Sequence, residues 1–163
     1  ISKEKNIPME TLSAAKKANH NQKAKMGTKL ENLLNSSLKD KKIAVLGLSF
    51  KANTDDVRES SSIDMIEFIL SKGGIVRAYD PIANASMLKL FNNISYFDNA
   101  YDAVKGADAL VVMTEWNEFR ALDLPRIKYI MKSAFILDTR NIINMSELSN
   151  LGFVYDNIGR LKI

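Results

Sequence analysis

Three cations stand where the chain leaves an apolar run or approaches a helix, and their residue types suit the gripping of an anion. Lys51 follows the run Ile43-Ala44-Val45-Leu46-Gly47-Leu48 within three residues. An ammonium there is a movable point charge that can reach a phosphate or a sugar hydroxyl, although a solvated loop lysine has the same sequence appearance. Arg140 follows a second apolar run, Phe135-Ile136-Leu137, inside Asp138-Thr139-Arg140-Asn141. Its planar fork suits bidentate recognition of phosphate, with an ion pair to Asp138 or a neighbouring carboxylate as the structural alternative. Arg58 precedes Glu59 and three serines ahead of the apolar segment 63–70. A positive charge at a helix N-terminus opposes the macrodipole, so Arg58 asks for an anionic partner, whereas Glu59 and the serines read as helix-start chemistry.

Groups that make and break bonds are scarce. The chain has no cysteine, which excludes disulfides, thiolate metal sites and a cysteine nucleophile, and its single histidine, His20, lies in a polar stretch and reads as a solvated helix residue. Asp80, in Tyr79-Asp80-Pro81, ends a predicted strand where a ribose-binding acid could stand. Its distance from Gly47 is longer than a dinucleotide site prefers, so it reads as a turn residue. Trp116 and Phe119 read as packing a short helix over the sheet or making subunit contacts.

These residues need a scaffold that returns strand ends to one edge. Apolar runs bounded by turn residues predict strands at 43–48, 75–79, 94–96, 109–113, 135–138 and 153–155, with helices at 63–70, 84–90, 100–104, 124–131 and 146–151. Alternation of strand and helix implies an α/β fold with a mostly parallel sheet, right-handed crossovers and helices on both faces. Ahead of it, 8–38 reads as one long helix opened by Pro8 and weakened by Gly27. The polar turn 39–42 suggests two parts, a helical 1–40 and a sheet-bearing 41–163.

With 163 residues, 46% hydrophobic and 26% charged, the composition is that of a chain able to bury one ordinary core. The net charge of +4 is spread rather than clustered, which argues against nucleic acid and suits a small polyanion. No run is long enough to span a membrane and no signal-peptide layout opens the chain, so the expectation is a cytoplasmic protein with no membrane partner. Residue 1 is Ile, and the chain reads as a piece of something longer.

The glycine pattern Gly47-Leu48-Ser49-Phe50-Lys51-Ala52 carries only the first of the three glycines of a dinucleotide fingerprint. The longer run from Ile43 to Ser60, with Phe50-Lys51, Thr54-Asp55-Asp56 and Arg58-Glu59-Ser60, instead resembles the start of the UDP-binding domain of the nucleotide-sugar 6-dehydrogenases. Tyr79-Asp80-Pro81, Thr114-Glu115-Trp116, Asp138-Thr139-Arg140-Asn141 and Ile158-Gly159-Arg160 follow in that family's order, so the resemblance covers 41–160. It implies a Rossmann-like domain preceded by the end of a long central helix that links two domains and supports a homodimer. It implies NAD as cofactor, a UDP-sugar as substrate, and two hydride transfers that carry UDP-glucose to the carboxylate. UDP-N-acetylhexosamine or GDP-mannose are alternative substrates, and a non-catalytic nucleotide-binding module is the alternative outside enzymes. By resemblance Phe50, Lys51 and Arg140 contact substrate, while Arg58 reaches the NAD of an absent N-terminal domain that also carries the cysteine nucleophile. Thr139 departs from the glycine often found there in UDP-glucose enzymes.

Overall fold

The computed structural model describes residues 10–159. A helix α1 (Glu10–Leu34) leads into six strands, β1 (Lys42–Leu46), β2 (Ile75–Tyr79), β3 (Ser95–Tyr96), β4 (Ala109–Val112), β5 (Phe135–Asp138) and β6 (Val154–Asn157). Helices α2 (Ser61–Ser71), α3 (Asn84–Leu88), α4 (Ala100–Val104), α5 (Asn117–Arg120), α6 (Leu124–Ile130) and α7 (Met145–Asn150) fall between them. The strands form one sheet in the order β3-β2-β1-β4-β5-β6, and every pairing is parallel. That is the doubly wound order of a Rossmann fold.

The non-alternating apolar runs follow from burial on both faces. Ile43 and Val45 of β1 join one core with Leu30 of α1 and Ile66 and Ile69 of α2, while Ala44 and Leu46 join the other with Val104, Phe119 and Ile127. β4 divides likewise, Ala109 and Val111 to the first face and Leu110 and Val112 to the second. A sheet covered on both sides wants an apolar residue at every strand position.

Two glycines are dictated by close approach. A Cβ on Gly27 would lie 2.5 Å from the Phe68 ring, so the residue that weakens α1 intrinsically is also the point where α1 crosses α2. Gly47 has φ of +91°, and its Cβ would meet the Thr114 backbone nitrogen at 2.6 Å. β1 therefore ends at Leu46, two residues earlier than its apolar run suggests, because Gly47 turns the chain out of the ladder. Similar end effects move β6 to Val154–Asn157. α1 stops at Leu34, where Asn35 takes a left-handed conformation (φ 51°) as a helix C-terminus often requires. Pro8, expected at the first helical position, lies outside the described residues. Leu33, Leu34 and Leu38, on either side of that stop, share the core with Ile43 and Val45.

Candidate functional site

In the order β3-β2-β1-β4-β5-β6 the chain crosses from one side of β1 to the other after β3, which opens a crevice at the carboxyl ends of β1 and β4. A cleft of about 700 Å³ lies there. Phe50 and Lys51 enter it from the turn after β1, Met113 and Glu115 from that after β4, Thr139 and Arg140 from that after β5, and Ile158 from beyond β6. Glu59, Ser61, Asp64 and Met65 line it from the entry to α2 and its first turns, and Gln22 and Met26 from α1.

The turn after β1, where a dinucleotide's diphosphate would rest on backbone amides, is already satisfied from within. Asp80, buried at the end of β2, accepts hydrogen bonds at one oxygen from Leu48 N (2.7 Å), Ser49 N (3.1 Å), Ser49 Oγ (3.0 Å) and Trp116 Nε1 (3.1 Å). Its other oxygen accepts from Ile82 N and Ala83 N. Thr114 Oγ1 donates to Ser49 O, Ser62 Oγ donates to Leu48 O, and Phe50 N donates to Asp56 O. A carboxylate fills the place where phosphate would bind, so this turn does not fit a dinucleotide. Asp80 is thus more than a turn residue, because it ties three loops together. Trp116 reaches it with its ring nitrogen, and Phe119 packs edge-on to Tyr79 with ring centroids 6.1 Å apart.

The groups that line the cleft are side chains instead. Asp138 accepts from Arg140 N, Ile142 N and Ile143 N, and this fixes the loop that carries Arg140. The Arg140 guanidinium turns its Nε to Met113 O (2.7 Å) and lies 3.4 Å from Glu115 Oε2. The neighbouring carboxylate expected as its ion-pair partner is therefore Glu115, not Asp138. Arg140's terminal nitrogens make no hydrogen bond among the described residues, so its end-on edge is open. Lys51 is exposed and has no ion pair among the described residues, and Phe50 beside it shows 53% of its surface. Thr139 is buried, its hydroxyl donating to Val112 O at 2.7 Å.

Arg58 stands apart from this group. It does not line the cleft. It is 88% exposed, and it meets Asp56 through Nε–Oδ1 at 3.0 Å and Nη2–Oδ2 at 2.8 Å. The anionic partner that its position demands is thus supplied two residues away. The hydrogen bonds from Arg58 hold the Asp56 carboxyl down at about 2, and Asp56 in turn raises the guanidinium pKa. The structure brings Phe50, Lys51 and Arg140 to one cavity, leaves Arg58 outside it, and adds Gln22, Met26, Asp64, Met65, Met113 and Ile158 that sequence reasoning missed. Met113 and Ile158 directly follow strand ends, which was the available signal; the α1 and α2 residues gave none.

The profile described as the UDP binding domain of the UDP-glucose/GDP-mannose dehydrogenase family matches residues 44–145. The chain belongs to that family. It is 40% identical over 161 residues to a UDP-glucose 6-dehydrogenase of Rickettsia bellii (strain RML369-C), covering 98% of this chain and 37% of that protein. It is 40% identical over 153 residues to one of Rhizobium meliloti (strain 1021), covering 94% and 35%. The chain spans about a third of the length of these curated relatives. Among solved structures it is similar to a UDP-D-ManNAc dehydrogenase from Pyrococcus horikoshii (TM-score 0.76, 30% identity, 92% of this chain and 34% of that one). A UDP-glucose dehydrogenase from Pyrobaculum islandicum shares the fold (TM-score 0.79, 22% identity, 95% and 33% covered). In this family domain the cleft lies at the switch point of a Rossmann-like sheet. No described helix is long and apolar enough to cross a membrane.

Proposed function

We propose that this chain is the substrate-holding third of an NAD-dependent UDP-glucose 6-dehydrogenase, which carries UDP-glucose to UDP-glucuronate in two oxidations. The observation that supports this most is the convergence of Phe50, Lys51 and Arg140 on one cleft beside a β1 turn whose amides are spent on Asp80. Arg140 offers its open edge to the diphosphate, Lys51 adds a point charge, and the exposed Phe50 ring gives the base or sugar an apolar face. The domain's work is binding and orientation, which brings C6 of the sugar to a reactive centre held elsewhere.

NAD accepts the hydrides when bound. The β1 turn of this chain does not fit it, and the residue that suits one of its phosphates is Arg58, whose exposed guanidinium makes no hydrogen bond at Nη1 among the described residues. The chain contains no cysteine, so a thiolate nucleophile and the main cofactor fold belong to an N-terminal domain of the same enzyme. Helix α1 is the end of the helix that joins the two domains and pairs copies into a homodimer, the sheet-bearing part that follows is the UDP-sugar domain, and the enzyme works in the cytoplasm. The test is NAD reduction by the purified dehydrogenase across UDP-glucose, UDP-N-acetylhexosamines and GDP-mannose. UDP-glucose should be turned over fastest, and this chain alone should not reduce NAD. A faster second sugar would replace the substrate, and no turnover of any would leave a non-catalytic nucleotide-binding module.

A further inference from the structure

The loop from Phe50 to Ser60 serves two places at once. Its first residues enter the cleft, while Arg58 is not among the lining residues and is gripped by a carboxylate. An ion pair this exposed adds little to folding stability. Yet the geometry is highly specified. Phe50 N donates to Asp56 O at 2.8 Å and Asp56 N donates to Thr54 Oγ1 at 3.1 Å, which holds the Asp56 backbone, and Arg58 N donates to Asp56 Oδ1 at 2.9 Å, which holds its carboxylate before the guanidinium meets it. The guanidinium then presents its side edge, Nε with Nη2, to both Asp56 oxygens.

A guanidinium has two edges that can take an oxyanion bidentately, the side edge and the end-on pair of terminal nitrogens. Asp56 occupies the first and leaves the second. We infer that Asp56 is a positioning residue, which holds the side edge of Arg58 so that its end-on edge is left for an anionic group bound outside the cleft. This rests on the reading that the anion is the diphosphate of NAD. Asp56 removes the rotamer freedom that a long exposed arginine would otherwise lose on binding. The carboxyl is ionised throughout the neutral range, as any aspartate is, and the hydrogen bonds from Arg58 hold its pKa lower still, at about 2. The competing role, a carboxylate that masks Arg58 and must let go before an anion binds, predicts the opposite sign.

The experiment is calorimetric titration of the purified dehydrogenase with NADH, without turnover, and in parallel with UDP. The variants are Asp56→Ala, Asp56→Asn, Arg58→Ala and the Asp56→Ala/Arg58→Ala double. Asp56→Ala should weaken NADH about threefold to tenfold, the cost of ordering one long side chain. UDP affinity should stay at the wild-type value. Asp56→Asn, which keeps one acceptor oxygen, should fall between, and the double variant should bind NADH no more weakly than Arg58→Ala alone. Unchanged or tighter NADH binding in Asp56→Ala, with Arg58→Ala still weakened, overturns the positioning role and leaves the cofactor reading standing. Loss of UDP affinity in both Asp56 variants overturns it in favour of a structural role for the loop. Wild-type NADH affinity in Arg58→Ala removes the cofactor reading and the inference with it.

Discussion

The turns after β1 and β5 leave the same edge of the sheet, and each is organised by a buried aspartate that collects backbone amides. They differ in what remains for a ligand. Asp80 reaches across from β2 to take the amides of Leu48 and Ser49 and the Trp116 ring nitrogen, so the β1 turn is spent on the fold. Asp138 collects the amides of its own loop, and that loop projects Arg140 into the cleft with its end-on edge open. A doubly wound sheet can therefore keep its switch-point crevice and change its means of recognition. With the backbone donors committed internally, the cationic groups left at the cleft are side chains, Lys51 and Arg140.

The largest effect that would break this contrast is at Asp80. Asp80→Ala leaves several buried donors without an acceptor and should cost on the order of 3 to 5 kcal/mol in denaturant melts, or prevent folding. Asp80→Asn should cost less and, in the folded protein, leave UDP affinity unchanged. A folded Asp80→Asn protein with sharply weaker UDP binding would make Asp80 a ligand residue and erase the difference between the turns.

At Arg140 the effect should fall on binding rather than folding. Hydrogen bonds to charged groups contribute roughly 1.5 to 3 kcal/mol, so Arg140→Ala should lose on the order of tenfold to a hundredfold in UDP-glucose affinity by calorimetry. Arg140→Lys should recover only part, because lysine keeps the charge and loses the fork. Wild-type affinity in both folded variants would make this arginine a structural brace for Met113 O and Glu115. Lys51→Met should do less, about fivefold or below, as an exposed cation contributes by charge alone. Its signature is salt dependence: added salt should weaken wild-type binding more than it weakens the variant.

The chain should show its smallest effect at alkaline pH. Burial, reinforced at Tyr79 by Glu118, pushes the Tyr79 hydroxyl up to about 12, and burial alone does the same for Tyr96. Both pKa values are raised on folding, so their contribution is complete below the unfolded value near 10 and is lost as pH rises through about 12. Tyrosinate absorbance should report two late-titrating groups, accompanied by falling stability. Ionisation of every tyrosine near pH 10 in the folded protein would contradict this burial.

Much of the scaffold was legible because it depends on local pattern. β2, β5 and α4 match their apolar runs residue for residue, Ile75–Tyr79, Phe135–Asp138 and Ala100–Val104. The end of β1 was not, since Leu48 is apolar but its amide is captured by an aspartate thirty-two positions away. Phe50, Lys51 and Arg140 could be brought to one edge from strand order alone, because parallel strands share their carboxyl ends. Gln22 and Met26 could not, as the path of α1 over the cleft is set by the Gly27–Phe68 crossing, a contact between distant segments. Arg58 was expected at the same edge, yet it does not line the cleft, and its guanidinium is held by Asp56, which reads in sequence as one more loop acid.

The most direct test of side-chain rather than backbone recognition is to titrate this chain, isotope-labelled for amide and arginine resonances, with UDP. Shifts are expected at Phe50, Lys51, Glu115 and Arg140, including the Arg140 guanidinium, with the amides of Leu48 and Ser49 unmoved. Large shifts of the Leu48 and Ser49 amides that persist in Arg140→Ala would place the diphosphate on the β1 turn and contradict it.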